Sequence, residues 1–220
     1  MTTATVEDTS NTTAAALQGR AAATVESSQP MAAQIISSHS AATTPAALTN
    51  GLRRIVLTGF MGAGKTTIGR LLAERLGWKF LDLDTLVEDR TDLTIAELIL
   101  RDGEAGFRKM EAHALAIALG KKDVVLALGG GATETLTNRL LLEQTPATLN
   151  IFLDAPFAVL LDRCMQQENA AIRPFLADLD QAQARFQQRL PHYRRIARLT
   201  LDTTELDPET AVDTLMNTLA

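Results

Sequence analysis

Short apolar runs alternate along the chain with segments in which apolar residues recur at helical spacing. The apolar runs are β-rich and bounded by turn residues, which predicts five strands, at residues 53–58, 79–83, 123–128, 149–153 and 199–202. A period of about 3.6 residues predicts the helices between them. One helix follows residue 64 and stops at Gly77, and others occupy residues 94–100, 104–119, 156–165, 177–195 and 208–219.

This alternation predicts the α/β class, with a five-stranded parallel sheet flanked by helices. Right-handed crossovers narrow the topology to a doubly wound fold, in which ligands bind beyond the carboxyl ends of the strands. Three unusual clusters follow predicted strands: residues 59–66, the pair Asp82 and Asp84, and residues 129–131, which are all glycine. We therefore expect all three clusters on one rim of the sheet.

The first fifty residues differ in composition from the rest of the chain. They contain 13 Ala, 10 Thr and 6 Ser and no aromatic residue, so they cannot bury enough apolar surface to offset the entropy of ordering. We expect residues 1–50 to be a disordered extension and residues 51–220 to form one domain. A mis-assigned start site is the alternative. Plastid import is disfavoured, because transit peptides are rich in Arg and poor in acids, and this segment has one Arg and three acids.

Charge and cysteine content exclude several classes of protein. The net charge is −5, of which residues 1–50 contribute −2, and this balance argues against general nucleic-acid binding. Cys164 is the only cysteine, so no internal disulfide is possible. No apolar stretch approaches the roughly 20 residues that a membrane span needs. We expect a cytoplasmic protein, and a monomer.

Residues 59–66 fit the phosphate-binding pattern G-x-x-x-x-G-K-[ST]. Glycines let successive backbone N–H groups point inward, and the helix that follows adds its positive N-terminal end. Lys65 would reach the β- and γ-phosphates of a nucleotide, and the Thr66 hydroxyl would ligate Mg²⁺. The alternative is a glycine-rich turn with an incidental lysine, which the preceding strand and following helix disfavour. The predicted ATP-binding residues here are Gly62, Ala63, Gly64, Lys65, Thr66 and Thr67.

Two further clusters each allow a structural and a functional interpretation. Asp82 and Asp84 would project from the same face of an extended segment, where a Mg²⁺ bound to phosphates would relieve their repulsion. Alternatively, one of the two aspartates, for example Asp84, is simply the N-cap of the next helix. The three glycines at residues 129–131 suit either a close approach of the backbone to a ligand or a flexible turn.

Three arginines are also candidates for the site. Arg108 could bind a ligand, or it could form a surface pair with Glu104, four residues earlier on the same helix. Arg173 lies in a polar loop that could close over phosphates. Arg189 belongs to a basic helical segment, most of which would form a solvated face, and spacing alone does not say which arginine points inward.

Taken together, these motifs resemble the shikimate kinase family, from about residue 53 to the C-terminus. The matching pieces, in order, are Gly59-Phe60-Met61-Gly62-Ala63-Gly64-Lys65-Thr66-Thr67-Ile68-Gly69-Arg70, Leu81-Asp82-Leu83-Asp84, Gly103-Glu104-Ala105-Gly106-Phe107-Arg108, Leu128-Gly129-Gly130-Gly131-Ala132, Arg173-Pro174-Phe175-Leu176 and Arg189-Leu190-Pro191-His192-Tyr193. The first piece alone indicates only a P-loop protein. The others, in this order, are specific to the family. The resemblance implies a P-loop fold like that of nucleoside monophosphate kinases, with a mobile lid.

The resemblance also implies roles for individual residues. Asp84 would bind the shikimate hydroxyls and accept the proton of the reacting 3-hydroxyl, while Asp82 would hold Mg²⁺ through water. The substrate carboxylate would be bound by Arg108 and Arg189, and a substrate hydroxyl would contact Gly130. Two further arginines would meet ATP: Arg173, as the lid arginine at the phosphates, and Arg163, beside adenine. One departure is that residues 203–206, after the last strand, include no basic residue, although some family members have a nucleotide-contacting arginine there.

The implied activity is ATP-dependent phosphorylation of shikimate to shikimate 3-phosphate, with Lys65, Asp84 and Arg173 as the catalytic residues. A guanidinium pair suits the flat carboxylate of shikimate, and phosphoryl transfer depends mainly on positioning and charge neutralisation. Two alternatives stay open. One is another small-metabolite kinase on the same fold, and the other is an inactive relative that only binds ligands.

Overall fold

The computed structural model describes Ile35–Ile36, residues 51–166 and residues 178–219, all of which belong to one compact unit, Ala33–Ala220. The strands are β1 (Ile35–Ile36), β2 (Arg54–Thr58), β3 (Lys79–Asp82), β4 (Val124–Ala127), β5 (Thr148–Asp154) and β6 (Leu199–Asp202). The α-helices are α1 (Lys65–Leu76), α2 (Leu83–Thr91), α3 (Ile95–Leu119), α4 (Leu136–Gln144), α5 (Phe157–Met165), α6 (Leu179–Ile196) and α7 (Pro208–Leu219), and a short 3₁₀ helix spans Ala132–Glu134.

The strands form one sheet in the order β1-β6-β5-β2-β4-β3. Neighbours from β6 to β3 pair in parallel, which confirms the predicted five-stranded parallel sheet. The sheet also has a sixth, edge strand: Ile35 pairs with Leu201 in antiparallel register. The rest of the predicted disordered extension lies outside the described residues.

The core lies on both faces of the sheet. Side chains alternate across a strand, so Ile55 and Leu57 of β2 pack in one apolar cluster, whereas Val56 between them packs in the other. Because helices cover both faces, successive residues of a central strand such as Ile55, Val56 and Leu57 are all apolar and buried. This is why such strands could be recognised as apolar runs.

Two helices were not predicted from periodicity, and one predicted pair is joined. The apolar pattern indicates no helix at α2 or α4, although the alternative that one aspartate is an N-cap implies a helix after it. The predicted helices at residues 94–100 and 104–119 form the single element α3, with non-helical angles at Gly103 (φ 72°, ψ 173°). This conformation is essentially restricted to glycine, so Gly103 turns the chain between two helical segments. Among the described residues, no helix is both long and apolar enough to cross a membrane.

Candidate active site

The carboxyl ends of β2, β3 and β4 open onto a cavity of about 470 Å³. Its lining brings together the three clusters that the sequence analysis placed on this rim. The lining residues are Met61, Gly62, Gly64, Lys65, Thr66, Thr67, Asp82, Asp84, Leu128, Gly129, Gly130 and Arg189. The cavity therefore combines a cationic loop, two carboxylates and an arginine.

The loop between β2 and α1 has the backbone form of an anion-binding loop. Gly62 and Gly64 have positive φ angles of 76° and 85°, in the region where a side chain would be strained. Gly64 is the N-cap of α1 and offers no side chain to cap it. The backbone N–H groups of the first turn of α1, from Lys65 onward, are therefore available to donate hydrogen bonds to an anion in the cavity.

Lys65 is a partly buried cation beside two acids. Its ammonium group donates a hydrogen bond to the Phe60 carbonyl oxygen at 2.9 Å. Burial lowers the pKa of Lys65 to about 8, although the nearby carboxylates of Asp84 and Asp82 act in the opposite direction. An arriving phosphate would stabilise the protonated form further.

Asp82 connects the loop to the start of α2. One of its oxygens accepts a hydrogen bond from the Thr66 hydroxyl at 3.1 Å, and the other accepts from the Asp84 backbone N–H at 3.1 Å. Asp82 is therefore the N-cap of α2, and Asp84 lies within the first turn. The expectation that both acids sit in an extended segment is wrong, because β3 ends at Asp82. The alternative that one aspartate caps the next helix is confirmed, with Asp82 rather than Asp84 as the cap.

The pair of Thr66 and Asp82 fits Mg²⁺. Hydroxyl and carboxylate oxygens are donors that Mg²⁺ accepts, and this ion usually takes one or two protein carboxylates and completes its shell with waters and phosphate oxygens. The two oxygen atoms already lie 3.1 Å apart at the cavity wall, so an ion there would need little rearrangement of the protein.

Asp84 is a partly buried acid with a raised affinity for protons. Burial raises the pKa of Asp84 and the charge of Asp82 raises it further, while Lys65 and Arg108 act in the opposite direction. A β-carbon added at Gly129 would lie 2.4 Å from an Asp84 carboxylate oxygen. Only glycine at that position leaves room for the Asp84 side chain.

Arg108 and Arg189 lie on opposite sides of one carboxylate. Arg108 Nη2 donates to Glu134 Oε2 at 3.1 Å, and Arg189 Nε donates to Glu134 Oε1 at 2.8 Å. Arg108 also pairs with Glu104 at 3.1 Å, so the surface-pair alternative describes one of its contacts. The Arg189 side chain is only 15% exposed, which distinguishes it from its exposed neighbours Arg194 and Arg195, at 62% and 60%.

Of the other two glycines of the triple, Gly131 makes room for a site residue, whereas Gly130 contributes a hydrogen-bond acceptor. A β-carbon at Gly131 would lie 2.4 Å from Arg108 Nη2, whereas one at Gly130 would meet Arg189 Nη1 at an ordinary 3.5 Å. Tyr193, which is fully buried, donates a hydrogen bond from its hydroxyl to the Gly130 carbonyl oxygen at 2.5 Å. The turn is therefore held in place rather than flexible, and its lack of side chains makes room for Asp84 and Arg108.

Arg163, a predicted nucleotide contact, is not among the residues that line this cavity. Arg163 lies on α5 and is hydrogen-bonded to the segment after β6, through the Thr203 hydroxyl and carbonyl and the Thr204 carbonyl. This is the segment that contains no basic residue, and Arg163 brings a guanidinium to it from another helix. Arg173 and the predicted lid lie outside the described residues.

The sequence analysis assigned no role to Glu134, Glu111 or Tyr193. The buried Glu111 carboxylate accepts two hydrogen bonds from Arg108 Nη1, at 3.0 and 3.1 Å. Its position three residues after Arg108 on a helix was an available signal. Glu134 contacts Arg108 and Arg189 across 26 and 55 sequence positions, and no spacing rule could have found it.

The fold and this site together define a P-loop phosphotransferase. A family model described as Shikimate kinase matches residues 61–220. The shikimate kinase of Lactococcus lactis subsp. lactis (strain IL1403) is 40% identical over 160 residues, which cover 72% of this chain and 93% of that protein. The chain belongs to the shikimate kinase family.

Solved structures agree with this assignment. A shikimate kinase from Acinetobacter baumannii in complex with shikimate is 35% identical, with a TM-score of 0.66, and the match covers 76% of this chain and 92% of that one. A gluconokinase from Sinorhizobium meliloti 1021 has a TM-score of 0.55 at 20% identity, over 77% of this chain and 92% of its own. The similarity to the gluconokinase is evidence for the fold alone.

Proposed function

We propose that this chain transfers the γ-phosphoryl group of ATP to the 3-hydroxyl of shikimate. The observation that carries the proposal is that Asp84 lines the same cavity as the phosphate-binding loop and the Arg189 side chain. An acidic, polyhydroxylated ring fits this arrangement, because its carboxylate would meet guanidinium groups while its hydroxyls meet Asp84. Family membership supports the same substrate.

The reaction would be a direct displacement. Asp84 accepts the proton of the 3-hydroxyl, the hydroxyl oxygen attacks the γ-phosphorus in line, and the bond to the β-phosphate oxygen breaks to release ADP. Lys65 and the N–H groups at the start of α1 would stabilise the charge on the phosphate oxygens. The raised pKa of Asp84 suits a group that must take up a proton during turnover.

Thr66 and Asp82 would hold a Mg²⁺ ion, Asp82 through water. When bound, the ion would neutralise phosphate charge and orient the nucleotide. Arg163 beside adenine and Arg173 as the lid arginine complete the proposed nucleotide site. Monomeric state and cytoplasmic location stay as predictions from the sequence.

The deciding experiment is ADP release at fixed Mg·ATP with and without shikimate. We expect shikimate to accelerate ADP release by orders of magnitude, with one shikimate 3-phosphate formed for each ADP. A thermal-shift series with shikimate, gluconate and nucleoside monophosphates tests the alternative acceptors. Stabilisation by one of the others but not by shikimate would favour a different kinase, and shikimate binding without ADP release would indicate an inactive relative.

A further inference from the structure

Glu134 occupies the place between the two arginines proposed to bind the substrate carboxylate. Arg108 lies on α3 and Arg189 on α6, whereas Glu134 ends the 3₁₀ helix that follows the glycine turn. Both carboxylate oxygens of Glu134 are used, one for each arginine, at 3.1 and 2.8 Å. A substrate carboxylate bound by the same two guanidinium groups would need this position.

The terminal amino groups of Arg108 are already hydrogen-bonded. Its Nη1 donates to both oxygens of Glu111, and its Nη2 donates to Glu104 and to Glu134. Each terminal amino group of a guanidinium has two hydrogens, and each of these groups in Arg108 already contacts two carboxylate oxygens. A substrate carboxylate at these groups would therefore compete with the glutamates.

Glu134 is the glutamate suited to leave. Glu111 is held by burial, with its side chain 1% exposed, and by a further hydrogen bond from Asn138 at 3.3 Å. Glu104 is 69% exposed, but its departure would release Arg108 alone. Glu134 is 34% exposed, and within the described part of the chain it alone forms ion pairs with both arginines.

The backbone around Glu134 is fixed while its side chain borders solvent. Arg139 Nη1 donates to the Thr133 and Glu134 carbonyl oxygens at 2.7 and 2.8 Å, which holds the 3₁₀ helix in place. A rotation of the Glu134 side chain is therefore enough to clear the position. The exchange keeps the charges between the two arginines balanced, because one incoming carboxylate would take the place of the Glu134 carboxylate.

We propose that Glu134 is a specificity-determining residue that occupies the carboxylate subsite in the free enzyme and is displaced by the acidic substrate. The inference rests on the proposed function, and it names a residue that competes with the substrate rather than one that binds it. A neutral ring could not replace the Glu134 carboxylate between the arginines, so the contact also selects against uncharged polyols.

The test compares wild type with Glu134→Gln and Glu134→Ala, with Glu104→Gln as the matched control. Glu104→Gln removes the same charge from the same arginine cluster but leaves the bridge intact. Calorimetric titration with shikimate is expected to give a dissociation constant about tenfold lower for both Glu134 variants, since a charge-assisted competitor has been removed. KM for shikimate should fall by a similar factor, with kcat and the affinity for ADP much less affected. For Glu104→Gln, the decrease in the logarithm of the dissociation constant for shikimate should be less than half of the decrease in the Glu134 variants.

The outcomes separate this inference from the proposed function. Equal or weaker shikimate binding by both Glu134 variants, in a wild type that phosphorylates shikimate, would overturn the role of Glu134 and leave the function standing. Equal tightening in Glu104→Gln would also overturn it, because the effect would then be one of overall charge. No shikimate turnover by wild type would refute the proposed function itself.

A second measurement needs no variant. A crystal structure of the wild-type protein with shikimate is expected to show the substrate carboxylate within hydrogen-bonding distance of both arginines and the Glu134 side chain turned to solvent. Glu134 still bridging Arg108 and Arg189 beside bound shikimate would refute the displacement. This result decides the matter even if the Glu134 variants fold poorly.

Discussion

The folded environment of Lys65 disfavours the protonated form of its side chain. Its pKa falls from 10.5 to about 8 because burial disfavours the ammonium group more than Asp84 and Asp82 favour it. Below pH 8 the charged ammonium group therefore lowers the free energy of unfolding, because its desolvation cost is present in the folded protein and absent from the unfolded chain. As pH rises from about 8 towards 10.5, only the folded state has lost the proton, so this penalty is progressively relieved.

Lys65→Met should consequently separate stability from activity. We expect the ligand-free variant to melt about 5 °C higher at pH 7, with the gain fading above pH ~10, because a penalty on the order of 1–3 kcal/mol is removed. Turnover should fall by a factor on the order of 10² or more, since charge stabilisation at the phosphates is lost. Differential scanning calorimetry at several pH values and a coupled ADP assay provide both readouts. Lys79→Met, at an exposed position on β3, is the control. A lower melting temperature for Lys65→Met at pH 7 would contradict this view.

Asp84→Asn tests the proton acceptor. The substitution keeps the shape of the side chain, so kcat should fall by about 10²–10⁴-fold, while calorimetric affinity for ADP changes little. In wild type, kcat/KM for shikimate should decline on acidification at a pH above the usual range of aspartate, because burial and Asp82 raise the pKa of Asp84. Asp89→Asn, on the exposed side of α2, serves as the control. Full activity in Asp84→Asn would show that another group accepts the proton.

At the scale of elements, the turn after β4 determines how two site residues are placed. Gly129 makes room for Asp84, which lies in α2, and Gly131 makes room for Arg108, which lies in α3. Tyr193 of α6 fixes the Gly130 carbonyl between them. Three helices thus reach the same short turn, and its glycines set the spacing between the acid and the guanidinium group.

Substituting these glycines should give two different kinetic results. Gly129→Ala would push Asp84 away from its position and should lower kcat by tenfold or more, since a misplacement of about 1 Å can cost up to about 10²-fold. Gly131→Ala would displace Arg108 and should mainly raise KM for shikimate, by about tenfold. Steady-state kinetics on both variants, each serving as the control for the other, checks the assignment. Identical kinetic changes in the two would indicate a general distortion of the turn.

The sequence could predict the elements whose signals are local. The central strands were recognisable because burial on both faces gives them apolar runs such as Val124–Ala127, and Lys65 and Thr66 because phosphate chemistry fixes their spacing. Helix α2 was missed because no turn residue separates it from β3, and Asp82 both ends the strand and caps the helix. Helix α4 was missed because its apolar residues do not all lie on the buried face: Leu136 and Leu140 are exposed, at 56% and 39%. Glu134 required the three-dimensional structure, since its partners are distant in sequence.

At the scale of the whole molecule, the site and the edge strand use different parts of the sheet. The cavity opens at the carboxyl ends of β2, β3 and β4, whereas β1 pairs only with β6 at the opposite edge. Strand β1 contributes two residues to the ladder, Ile35 and Ile36. The segment up to residue 50 should therefore influence stability slightly and catalysis hardly at all.

Two truncations test this division. Removing residues 1–32 leaves β1 in place, so melting temperature and kcat/KM should match those of the full chain. Removing residues 1–50 deletes β1 and exposes the β6 edge, which should lower the melting temperature by roughly 2–4 °C, as expected for a loss of about 1 kcal/mol, and increase aggregation on heating. Calorimetry, light scattering and the ADP assay on the three proteins distinguish the cases. If the longer truncation lost most of its activity at a temperature where it stays folded, the extension would have to take part in the site, and the rim described above would be incomplete.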